Sequence, residues 1–213
     1  YTVLAGMFSV VYTDVVNGVL MSIGTIGALI FLYFKVGGLG EIITVAEAAG
    51  KWQWFGNWAA ERTGDISGPV IAISFFVPTM LLLMGDANMY QRIFSAQDGG
   101  SAKKAVSFWF LGVVVLESVI SLLVLTGAVA ASKGIIPDLV AQAEAGVTDP
   151  TASAMLEARQ AGSESVIPAI ARYAGLPMVL GLLLVSTMMA IIVSTADSFL
   201  LIPATNLTRD VYL

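Results

Sequence analysis

The stretch YAGLPMVLGLLLVSTMMAIIVSTADSFLLIPATNLT, residues 173–208, carries a single charged residue, Asp197. Crossing the hydrocarbon core of a bilayer takes about 20 apolar residues in a helix. No water reaches the backbone there, so the helix must satisfy its own N–H and C=O groups. The stretch therefore reads as a membrane-spanning helix, interrupted near its end by Ser194, Thr195, Asp197 and Ser198. A carboxylate within a span is costly unless compensated, which makes the interruption a candidate site.

Three further runs have the same character: Val15 to Phe34 and Ile66 to Gly85, both uncharged, and Ala105 to Ser132, which contains only Glu117. The runs are long and unbroken, unlike the short alternating segments of a membrane β-barrel. They predict an all-α, polytopic transmembrane helix bundle over residues 1–213. Its four spans lie at about 10–35, 66–90, 105–131 and 174–203, here A to D, with an outer loop at 132–172. Of the 213 residues 57% are hydrophobic and 12% charged, about half the charged share of a soluble domain.

The net charge of −5 offers no basic stripe, which speaks against nucleic acid as a partner. With no cysteine and no histidine, disulfides, thiolate ligation and the usual zinc ligand and general base are absent. The chain opens at Tyr1 with no signal-peptide pattern and reads as an internal fragment, to be completed by further helices of the same chain. Arg92, Lys103 and Lys104 face one acid, Asp98, in the loop between B and C. The positive-inside rule then places that loop and both ends of the fragment in the cytoplasm. The outer loop contains a helix-compatible stretch from Thr151 to Ala161. It reads as a solvated connector, with a lid as the less common alternative.

On a helix, positions i, i+3 and i+4 share a face, so Ser194, Asp197 and Ser198 point one way and Thr195 lies one step around. Span A opens with Tyr12, Thr13 and Asp14, then Asn17 and the small residues Gly18, Gly24 and Gly27, which permit close helix contact. Asp14 is therefore a candidate partner for span D. Hard oxygen ligands of this kind suit a small alkali cation such as sodium. The plainer alternatives are serine hydroxyls bonded to their own backbone and Asp14 as a helix-start carboxylate. Pro69 and Pro78 mark span B as a candidate broken helix, with a simple kink as the alternative. Paired aspartates also suggest an intramembrane protease. The Gly-x-Gly-Asp pattern of those enzymes is missing, and we read the chain as no enzyme.

The segment VSTADSFLLIPATNLTRDVY at Val193 to Tyr212, with YTDVVNG at Tyr12 to Gly18 and GDANMYQRIFSAQDG at Gly85 to Gly99, resembles the sodium:solute symporter family. The resemblance implies a leucine-transporter-like fold of two inverted five-helix repeats, with this fragment matching the fifth to eighth helices. It implies sodium-coupled uptake of a small organic solute by alternating access, with sodium as coupling ion and no other cofactor. The common sodium site of the family maps onto Ser194, Thr195 and the Ile191 carbonyl, its other half lying on a helix outside the fragment. A further sodium ion in some members maps onto Asp14, Ser194, Asp197 and Ser198, with Asp197 standing where those members have serine. Thr79, Leu82 and Leu83 map onto the solute-lining part of span B. A symporter-like sensor fused to a signalling module is the alternative function.

Overall fold

The computed structural model describes residues 2–48, 68–148 and 151–208, and among them the secondary structure is entirely helical. In chain order the helices are α1 (Thr2–Val36), α2 (Leu39–Ala48), α3 (Gly68–Met84), α4 (Ala87–Phe94), α5 (Gly99–Ser132), α6 (Leu139–Ala145), α7 (Ala152–Glu164), α8 (Val166–Tyr173) and α9 (Met178–Asn206). Three of the described helices, at Val10–Val36, Gly99–Ser132 and Met178–Ala204, are long and apolar enough to cross a membrane. These are spans A, C and D.

Span B differs from the expectation. Its start at residue 66 lies outside the described residues, and α3 is 17 residues long, about 25 Å, at the lower limit for a crossing. Pro78 lies inside α3 without breaking it. The helix stops instead at Gly85 and Asp86: the Gly85 N–H bonds back to Leu81 and Leu82 carbonyls, and the Asp86 carbonyl accepts from Tyr90 to start α4. Proline costs a helix one N–H, which neighbours compensate in a membrane protein.

The chain divides into two compact units, one of residues 1–45 and 114–195 and the other of 46–113 and 196–213. The first unit holds a hydrophobic core in which Ala28, Leu32 and Val36 of α1, Ile42 of α2, Leu123, Val129 and Ala130 of α5, Ala169 and Ile170 of α8 and Leu184 of α9 are buried. Helix ends here close by glycine and lysine. Gly37, at φ +113°, lets the Gly38 N–H reach the Tyr33 carbonyl at 2.9 Å, and Gly134, at φ +70°, does the same for Ile135 and Ala130 at 2.9 Å. The Lys133 ammonium donates to the Val36 carbonyl at 2.8 Å, and Lys35 to the Ala174 carbonyl at the end of α8. Each lysine meets a helix's orphan carbonyls and the negative end of its dipole.

The 132–172 connector is more than a solvated link. Asp138 caps α6 by accepting from the Ala141 N–H, and Thr151 caps α7 by accepting from Ala154. The helix expected at Thr151 to Ala161 forms and extends to Glu164. Gly162 lies so close to α6 that a Cβ would stand 2.6 Å from the Val140 Cα, and an Arg159–Glu144 ion pair joins the two helices. Helix α8 packs on α5, with Ile170 and Val166 against Gly127. Burial of the apolar face of α8 is what draws the connector onto the core.

The second unit holds α3, α4, the first part of α5 and the last part of α9. Much of its apolar surface is uncovered, including Phe108, Phe110 and Leu111. An apolar surface of this extent needs lipid or other helices against it.

Candidate functional site

In the first unit, α1 and α9 run antiparallel along one seam, since contacts on α1 rise in number as those on α9 fall. Leu180 lies against Gly27, and Thr187, Leu183 and Leu184 against Gly24. The Asn17 side-chain amide donates to the Ala190 carbonyl at 3.4 Å, and the Ser194 hydroxyl donates to Asp14 Oδ1. Glycines at positions 24 and 27 let the two backbones approach, and polar groups take over where the small residues end. The expectation that Asp14 faces span D is therefore met in its contact with Ser194.

Helix α1 begins at Thr2, so Asp14 is an interior residue rather than a helix-start carboxylate. Its Oδ2 is out of solvent contact. Nor does Ser194 spend its hydroxyl on its own backbone, as neighbouring hydroxyls do: Thr187 donates to Leu183 and Thr25 to Met21, both at 2.7 Å. Ser194 thus departs from the local pattern in the one place where a carboxylate faces it. Thr195 and the Ile191 side chain are exposed, and both residues lie in unbroken helix.

In the second unit, Asp197 is half-buried and Ser198 is 3% exposed. Ser198 Oγ accepts a hydrogen bond from Arg92 Nη2 at 2.7 Å. Sequence reasoning used Arg92 only as a loop charge. The residue sits in α4, whose position opposite the end of α9 no local pattern reveals. A cavity of about 370 Å³ in this unit is lined by Leu83, Asp86, Arg92 and Trp109 among others. Of the three residues mapped to solute contact, only Leu83 borders it; Thr79 and Leu82 are exposed on α3.

Long apolar helices with a carboxylate and hydroxyls turned toward one another define an integral membrane protein of the helical-bundle class. The whole chain, residues 1–213, matches the sodium:solute symporter family, and it belongs to that family. It is similar to the sodium/sialic acid symporter NanT of Aliivibrio fischeri, 29% identical over 111 residues, which cover 50% of this chain and 21% of the relative. It is also similar to the sodium/sialic acid symporter SiaT of Proteus mirabilis, 33% identical over 97 residues, covering 43% of this chain and 18% of the relative. The chain thus aligns with about a fifth of the length of each. No solved structure gives a significant match.

Proposed function

We propose that the intact protein is a sodium-driven symporter of a small organic solute, working by alternating access. The observation that carries this reading is the Ser194 to Asp14 hydrogen bond across the α1–α9 seam. It gathers a carboxylate, which is unfavourable alone at an intramembrane position, with a hydroxyl that turns from its own backbone to meet it. On this reading sodium uses Ser194, Thr195 and the Ile191 carbonyl, completed by a helix of the remaining chain. A second ion uses Asp14 and Ser194, with Asp197 and Ser198 continuing the set along α9. The excess carboxylate either tightens ion binding or carries a proton, bringing proton coupling. Solute contact falls along α3 at Thr79, Leu82 and Leu83. The Arg92 to Lys104 loop and both ends of this segment face the cytoplasm.

The family and both named relatives favour transport over sensing. Uptake of a solute library by the intact protein, with and without an inward sodium gradient, tests the reading. Sialic acid is the first solute to try, because two relatives carry it in their names. Accumulation of one solute only with the gradient supports symport. Solute binding with no accumulation under any gradient counts for the sensor.

A further inference from the structure

Within the second unit, Arg92 Nη2 donates to Ser198 Oγ at 2.7 Å, and Ser198 is 3% exposed. A guanidinium keeps its charge at any physiological pH, and hydrogen bonds from charged donors are among the stronger ones. The oxygen that would ligate an ion is therefore held by a cation the protein itself carries. Arg92 is exposed while Ser198 is buried, so solvent screens the repulsion between the guanidinium and an arriving cation, but both contend for the same oxygen.

We propose that Arg92 is a tethered competitor for the coupling ion. This rests on the reading of Ser198 as an ion ligand and adds its regulation. When the guanidinium holds Ser198, α4 is docked on the end of α9. When sodium takes the oxygen, Arg92 leaves it and α4 is released. Ion binding and α4 docking are then reciprocally coupled, so that ion occupancy is reported to α4 and to the turn that joins it to α5. A merely structural tie would behave differently: losing it would weaken the protein and leave sodium affinity unchanged or worse.

In the intact transporter, Arg92→Gln should lower the sodium concentration for half-maximal uptake by about fivefold or more, within the usual range of such couplings. In a Ser198→Ala background the same change should give no gain. Arg92→Lys, which restores a cation, should return the sodium requirement toward the starting value. An unchanged or raised requirement in Arg92→Gln overturns the proposal. Should that variant fail to reach the membrane, a cysteine introduced at Ile93, which lines the same cavity, gives a second measurement. In a background with no other cysteine, sodium should speed its reaction with a permeant maleimide relative to choline, and equal rates overturn the proposal. Ser194→Ala with Thr195→Ala separates the two readings. If that pair leaves sodium activation untouched, the ion-site reading itself fails; if it impairs activation while Arg92→Gln changes nothing, the competition at Ser198 fails and the site at Ser194 and Thr195 stands.

Discussion

Asp14 Oδ1 accepts a hydrogen bond from the hydroxyl of Ser194, 180 residues further along the chain. The bond lies at one end of an antiparallel seam whose other contacts are Asn17 with Ala190, Gly24 with Thr187 and Gly27 with Leu180. Taking a carboxylate oxygen out of solvent, as at Asp14 Oδ2, carries a desolvation cost. A cation arriving at that point would offset the cost. The pair is thus polar where packing alone would favour another glycine or alanine.

Two glycines in the first unit should respond differently to alanine. A Cβ on Gly162 would meet backbone atoms, the Val140 Cα at 2.6 Å and the Leu139 carbonyl oxygen at 2.9 Å. On Gly127 it would meet side-chain atoms only, Ile170 Cδ1 and Val166 Cγ1, each at 2.8 Å. Gly162→Ala should therefore cost about 1–3 kcal/mol, the usual range for overpacking, and Gly127→Ala less. Thermal unfolding of the intact protein in detergent would rank them; equal losses would mean that α6 can move away from α7.

The Lys133 ammonium bonds both the Glu41 carboxylate and the Val36 carbonyl, each at 2.8 Å. The ion pair is partly exposed, with side-chain exposures of 31% and 45%, and so is well screened. Glu41→Gln should cost less than about 1 kcal/mol, and less still at high salt. Lys133→Met also removes the donor from the end of α1, so its cost should be larger by about 1 kcal/mol, and that added part should vary less with salt than the ion pair does. Thermal unfolding at low and high ionic strength checks both.

Asp98 lies just before α5 and accepts from the Ser101 N–H, which holds its carboxyl below the ordinary value of 3.8, with the Ser101 hydroxyl and Gly100 N–H adding to the effect. A lowered folded pKa contributes stability that is present above the ordinary value and is lost as pH falls through the lowered one. Protection of the Ser101 and Ala102 amides from hydrogen exchange, corrected for intrinsic rates, should therefore weaken on acidification below 3.8. Asp98→Asn caps nearly as well but does not titrate, and its protection should stay level across the same range.

The helical spans were legible because apolar runs of such length admit one backbone solution in a bilayer, and the α7 start was legible because Thr151 is a strong cap. The approach of Asp14 to Ser194 followed from depth and helical spacing. The end of the apolar run at Gly85 matches the end of α3, whereas the break suggested by Pro78 does not form. Other features had no local signal. The docking of Ile170 onto α5 and the bond from Arg92 to Ser198 are long-range contacts, 106 residues apart in the second case. A connector or a loop charge looks the same in sequence whether or not it finds such a partner.

Sodium activation of uptake by the intact protein carrying Ser194→Ala and Thr195→Ala tests the central claim most directly. Loss of oxygen ligands to a charged group is worth about 1.5–3 kcal/mol each, so the half-saturating sodium concentration should rise at least about tenfold while the protein still reaches the membrane. A sodium dependence indistinguishable from the unaltered protein would contradict the claim that an alkali ion lodges at this turn of α9.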